Sequence, residues 1–123
     1  MSEAWVDLGP GAALTERGAG LRFTVARHGE SRPAFAVRFE GRVHAYLNRC
    51  AHVAMELDWQ PGQFFDVERG WLVCSTHGAL YDPADGGCAG GPCAGRGGLL
   101  ELEVEERDGR LWWRPAPGWG PTA

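Results

Sequence analysis

Glycine and proline interrupt this sequence so often that no apolar stripe runs long enough for a helix of ordinary length. There are 19 glycines and 8 prolines among 123 residues, and they fall between short apolar runs. Helix interiors tolerate neither residue well, whereas turns use both. The expected chain is therefore all-β, with many turns joining short strands. Residues 53–59 (VAMELDW) are the one place where a turn or two of helix fits, and Pro61-Gly62 ends it.

The short runs alternate as strands do. In LRFTVAR (21–27), Leu21, Phe23 and Val25 alternate with Arg22 and Thr24. AFAVRFEGRVHAYLN (34–48) reads as two strands joined at Glu40-Gly41, the second carrying Val43, Ala45 and Leu47 on one face and His44 and Tyr46 on the other. GWLVCS (70–75) is a short buried strand. From Leu99 to Pro115, Leu100, Leu102 and Val104 alternate with Glu101, Glu103 and Glu105, then Asp108-Gly109 turns the chain back through Leu111-Trp112-Trp113. The glutamates read as a solvated sheet face. Residues 1–115 form one domain, and 116–123 (APGWGPTA) a flexible tail.

A net charge of −4 lacks the concentrated basic face that nucleic acid requires. The first residues, MSEAWVDLGP, show neither a basic nor an apolar leader region, and no apolar run nears the roughly 20 residues that span a bilayer. The expectation is a cytoplasmic monomer away from the membrane. In that compartment four cysteines point to metal or redox chemistry rather than a disulfide framework.

Two of those cysteines have a histidine close by. Cys50-Ala51-His52 and Cys74-Ser75-Thr76-His77 give the spacing C-x-H, 21 residues, C-x-x-H. Each pair projects from one tight turn, so two soft thiolates and two imidazoles meet at one site if the loops close on each other. A lone Cys or His is usually a packing residue. Zinc also takes Cys₂His₂ sites, though its usual spacing groups two Cys and then two His, whereas here each loop gives one of each. No third group is in view to orient a Cys-His nucleophilic pair.

The pattern C-x-H followed by C-x-x-H-G resembles the signature of Rieske [2Fe–2S] proteins, in which two His replace two Cys on one iron. HGALYDPADGGC (77–88) is similar to the family's His-Gly-x-x-Tyr/Phe-Asp segment, and Gly90-Gly91-Pro92 to its proline loop. The resemblance implies a small antiparallel β-sandwich with a cluster-binding subdomain built from two loops, over about residues 48–93. It implies that Cys50 and Cys74 hold one iron of a [2Fe–2S] cluster and His52 and His77 the other, at a solvent-facing tip. Leu57 matches an apolar residue that shields the cluster, and Pro92 belongs to the loop that closes over it.

The disulfide that ties the two ligand loops in high-potential relatives is absent, since Met55 and Thr76 occupy its positions. Cys88 and Cys93, four residues apart on the proline-loop side, are close enough to pair locally, but in a reducing cytoplasm are expected as free or semi-buried thiols, and His28 and His44 as ordinary strand or surface histidines. High-potential members also place a Ser two residues, and a Tyr four residues, after the second His; here these are Ala79 and Tyr81. The expected potential is intermediate to low within the Rieske range of about −150 to +300 mV.

With no flavin or nicotinamide fingerprint the chain cannot collect hydride electrons unaided; it resembles the ferredoxin components of bacterial aromatic-ring dioxygenase systems, which implies an electron-transfer component of an oxidoreductase system and leaves open whether it is an enzyme by itself. That implies a one-electron carrier between a flavin-dependent reductase and a terminal oxygenase, docking at the His52/His77 tip with Met55, Leu57 and Leu80 around it. The alternatives are a small subunit of an assimilatory nitrite reductase and a non-redox zinc-binding interaction module.

Overall fold

The computed structural model describes residues 5–27, 30–49, 57, 62–65, 70–74, 79–90, 98–115 and 120–121. Among these, the strands are β1 (Val6–Pro10), β2 (Leu21–Arg27), β3 (Glu30–Phe39), β4 (Arg42–Leu47), β5 (Leu72–Val73), β6 (Leu80–Tyr81), β7 (Cys88–Gly90), β8 (Glu101–Arg107), β9 (Arg110–Arg114) and β10 (Gly120–Pro121). A 3-10 turn at Gly11–Ala13 is the sole helical element described, so the all-β reading holds.

Both expected hairpin turns form. Glu40 and Gly41 (φ 52° and 78°) join β3 to β4, and Asp108 and Gly109 (φ 52° and 76°) join β8 to β9. Two left-handed residues in a row give the turn whose twist matches the flanking strands. Glutamate is a strained choice there. The Glu16 carboxylate compensates by accepting the Glu40 and Gly41 N–H groups at 2.6 and 2.8 Å.

Seven strands form one sheet in the order β1-β9-β8-β4-β3-β2-β10, all antiparallel, and β5-β6-β7 form a second. In the large sheet β4 meets β8 through only two residue pairs, Ala45 with Leu102 and Tyr46 with Glu101. Both parts of the sheet contribute to one apolar core, β2–β4 through Val25, Ala36 and Leu47 and β8–β9 through Leu102, Leu111 and Trp113. Arg38 ties the periphery together, donating to the carbonyls of Leu14 (2.7 Å) and Gly11 (3.0 Å) and pairing with Glu106 at 2.9 Å.

The opposite face of β3 and β4 packs on the small sheet. Phe35, Val37 and Tyr46 join Leu57, Phe64, Leu72, Cys74, Ala79, Tyr81 and Leu99 in a second core, with Phe35 stacked on Phe64 at 3.9 Å and 10°. Ala34, Phe35, Ala36 and Val37 are consequently buried one after another. Four buried residues in a row mark a strand covered on both faces.

The glutamate-bearing hairpin is solvated as expected, with exposed ion pairs Arg114–Glu103 and Arg107–Glu105. Two expectations change. Leu100 is 46% exposed and Leu99 buried in its place, because Leu100 precedes β8 and gives its carbonyl to the Leu47 N–H. The tail is not loose throughout: Gly120 and Pro121 pair with Ala26 and Val25 on the edge of β2. A proline there leaves no donor to recruit a further strand. The helical turn expected at 53–59 and Trp119 lie outside the described residues, Leu57 excepted.

Candidate metal centre

Of the four residues expected to hold metal, the structure describes Cys74; Cys50, His52 and His77 lie outside the described residues, as do Pro92, Cys93, Met55 and His28. Among the described residues no three His, Cys, Asp or Glu side chains come together. The frame from which both ligand loops leave is in view.

The second loop is built on a hairpin. Val73 pairs with Leu80, and the Cys74 N–H donates to the Ala79 carbonyl at 2.9 Å, so the two flanks of the segment are hydrogen-bonded to each other. β5 is pinned from its other side, the Val73 N–H donating to the Phe64 carbonyl at 2.9 Å. Cys74 is in no disulfide and has no exposed surface. Its neighbours in the core are apolar, and a thiolate in such surroundings needs a cation beside it. An iron ion would supply that charge, so the one described member of the set fits.

The first loop leaves β4 through Leu47 and Asn48 and has re-entered the core at Leu57. Asn48 is 1% exposed; its N–H donates to the Pro33 carbonyl at 2.9 Å, and its Oδ1 accepts the Leu57 N–H at 2.8 Å. Leu57 is fully buried, which suits a shielding residue and removes it from the docking surface expected to include it. Leu80 is half-buried. Leu57, Cys74, Ala79 and Tyr81 share one core although residues 58–73 intervene in sequence, so the flanks of the two loops converge.

Tyr81 is fully buried, and Ala79 beside it is fully buried without a hydroxyl. The turn after Tyr81 is braced twice from within, Asp82 Oδ1 accepting the Ala84 N–H and Asp85 Oδ1 the Gly87 N–H, each at 2.8 Å. It is braced again from the large sheet, where the Tyr46 hydroxyl donates to the Pro83 carbonyl at 2.7 Å. Burial, with the negative charges of Glu101, Asp85 and Asp82 adding to it, pushes the Tyr46 phenol well above its ordinary range, so it stays a donor.

Cys88 corrects an expectation. It is disulfide-bonded, and since Cys74 is in no disulfide the partner lies outside the described residues. The expectation of a free thiol rested on the redox state of the compartment and took no account of where the fold places this sulfur, on β7 opposite Tyr81. His44 is a half-buried strand histidine opposite Val37, as expected. Sequence reasoning gave no role to Asn48 or to the Tyr46 hydroxyl; a polar residue closing an apolar run next to a ligand was the available signal for Asn48.

The family model of the Rieske [2Fe–2S] domain matches residues 4–106. No curated protein matches the chain. Among solved structures, the ferredoxin of carbazole 1,9a-dioxygenase from Nocardioides aromaticivorans IC177 is 21% identical with a TM-score of 0.71, over 92% of this chain and 99% of that one. A complex of reduced oxygenase and oxidised ferredoxin of carbazole 1,9a-dioxygenase matches at 19% identity and TM-score 0.69, over 92% of this chain and 94% of that one. The terminal oxygenase of carbazole 1,9a-dioxygenase from N. aromaticivorans IC177 matches at 23% identity and TM-score 0.71, over 99% of this chain; the chain spans about a third of that oxygenase (32%). At these identities the likeness establishes the fold.

Proposed function

Because this chain belongs to the Rieske [2Fe–2S] domain family, we propose that it is a stand-alone carrier of single electrons, a Rieske-type ferredoxin working as a monomer in the cytoplasm. The observation that carries the reading is the convergence on one apolar core of Cys74, fully buried and outside any disulfide, with Leu57 from the flank of the other segment. Cys50 and Cys74 would hold one iron through thiolates, and His52 and His77 the other through imidazole nitrogens. Such a centre supplies one reversible electron at about −150 to +300 mV, the neutral imidazoles making it easier to reduce than an all-thiolate one.

The residues around it shape that chemistry. Leu57, Leu72 and Ala79 keep water from the thiolate side. Of the two hydroxyls that high-potential members place after the second His, Tyr81 is the one retained, and it would favour the reduced state by donating to a cluster sulfur. Docking is at the His52/His77 tip, with Leu80 at its margin. The matched complex joins a ferredoxin to an oxygenase, which supports a terminal oxygenase as the electron acceptor; a flavin-dependent reductase is the donor. No helix among the described residues is long and apolar enough to cross a membrane.

The deciding experiment is electron paramagnetic resonance of the dithionite-reduced protein, with iron and acid-labile sulfide measured on the same sample. The expected result is two irons per chain and an average g below that of an all-cysteine ferredoxin. Iron-replete protein with an all-cysteine signal would remove His52 and His77 from the ligand set. A colourless protein with one zinc would replace the carrier by an interaction module.

A further inference from the structure

The two ends of the large sheet are finished differently. At one end β1 protects itself: its register shifts between Asp7 and Gly9, Gly9 lies at φ 112°, and the strand stops at Pro10. A bulge and a proline keep an edge from pairing with another chain. Toward the other end β2 has neither, and pairs with β3 without a shift from Leu21 to Arg27. What it has instead is β10, paired with Ala26 and Val25.

The direction of the β2 backbone follows from Pro33. Its carbonyl accepts the Asn48 N–H at 2.9 Å, so Pro33 turns its backbone polar group toward β4. Thr24 is opposite Pro33, and in an antiparallel pair bonded and non-bonded positions alternate. Arg22, Thr24 and Ala26 therefore direct their N–H and C=O groups away from β3, to the outer edge. Gly120 meets that edge at Ala26, whereas Pro121 stands beside Val25, where no donor to β2 is required.

That edge is self-complementary. About a two-fold axis at Thr24, a second β2 sets Arg22 opposite Ala26, Phe23 opposite Val25 and Thr24 opposite Thr24. No like charges meet in these pairs. An aromatic residue faces a β-branched one and a threonine faces a threonine, both favourable. Val25 lies in the larger core and Phe23 packs against it, so the apolar face of one sheet continues into the next.

We propose that the outer edge of β2 is a pairing surface for a second copy of this chain, and that β10 keeps the chain a monomer by occupying it. This does not rest on the carrier reading. The test is sedimentation equilibrium of the full chain at low ionic strength, from about 1 μM to about 1 mM. Gly120→Pro takes away the N–H that meets Ala26 and leaves the ladder of β2 on β3 as it is. Unmutated protein should remain a monomer, and Gly120→Pro should double in mass as concentration rises.

Ala26 then reports the register, because it faces Arg22 of the other copy twice in each dimer. In the Gly120→Pro background, Ala26→Glu should tighten the dimer and Ala26→Lys loosen it, with Kd values about tenfold apart. A Gly120→Pro chain that precipitates and is returned to a soluble monomer by Ala26→Lys also supports the pairing. A monomeric Gly120→Pro chain, a dimer indifferent to the charge at position 26, or unmutated protein that is already dimeric overturns the proposal. So does loss of the fold in Gly120→Pro with and without Ala26→Lys, since β10 would then belong to the fold rather than cover its edge.

Discussion

Tyr46→Phe tests how the large sheet holds the small one. The substitution removes one oxygen and keeps the ring, whose packing beside Phe35 (centroids 5.9 Å apart) needs no hydroxyl. What is lost is the donor to the Pro83 carbonyl at 2.7 Å, between two fully buried residues. Stranding a buried carbonyl costs about 1–3 kcal/mol, which for a domain of this size lowers Tm by roughly 3–6 °C per kcal/mol. The assay is urea unfolding of the iron-loaded protein, with the midpoint reduced and the slope unchanged. There is an alkaline arm as well. Burial holds the folded phenol above its unfolded value, so its contribution is complete below about pH 10 and is lost as pH rises beyond that. Tyr46→Phe should therefore flatten the loss of stability above pH 10. A midpoint within about 0.5 kcal/mol of the parent, or an alkaline arm of unchanged steepness, refutes the brace, because surface changes of no consequence fall within that margin.

Tyr81→Phe should lower the midpoint potential by roughly 40 mV in voltammetry, the equivalent of about 1 kcal/mol of hydrogen bonding that favours the reduced state; an unchanged midpoint removes Tyr81 from the tuning. The Arg38 hydrogen bonds hold the Glu106 carboxyl below its usual range, the Gly9 N–H does the same for Asp7, and the Gly41 N–H for Glu16. Depressed carboxyl pKa values add stability that is complete above about pH 4.5 and fades as pH falls below it. Urea midpoints should drop on acidification through that window, and Glu106→Gln should make the drop shallower; a drop as steep in the variant as in the parent refutes the pairing. Trp113→Ala, which empties the centre of the larger core, should cost about 3–5 kcal/mol by the same unfolding assay and leave the potential unmoved.

Much of the fold was legible because hairpins are local. Glu40-Gly41 and Asp108-Gly109 announce their turns in adjacent letters, and the alternation of Val43, Ala45 and Leu47 with His44 and Tyr46 assigns the faces of β4 that the two cores occupy. Leu57 and Tyr81 were marked by the resemblance and are buried in one core. What could not be read was long-range. Leu99 and Leu100 are identical in letter, and only the pairing of Leu47 with the Leu100 carbonyl decides which of them is buried. The disulfide at Cys88 depends on where a strand sets its sulfur, and the compartment argument says nothing of that. Asn48 looked like the last letter of a strand; the N–H group that its amide oxygen accepts lies nine residues on, at Leu57.

β3 and β4 are the wall shared by the two cores, and that gives the flanks of the two segments proposed to carry the ligands a fixed frame. Along β3, Phe35 and Val37 face the small sheet while Ala34 and Ala36 face the larger core. Along β4, Tyr46 faces the small sheet while Ala45 and Leu47 face the other way. The small residues on one side let β8 and β9 bring in Leu111 and Trp113; the aromatic residues on the other reach out to Phe64 and to the turn after Tyr81. A three-stranded sheet with strands of two or three residues buries too little to stand alone. Its order is borrowed from the wall, through Phe35 stacked on Phe64, Tyr46 bonded to Pro83 and Asn48 bonded to Leu57. The flanks of the proposed ligand segments thereby rest on strands whose other face is already committed to the core.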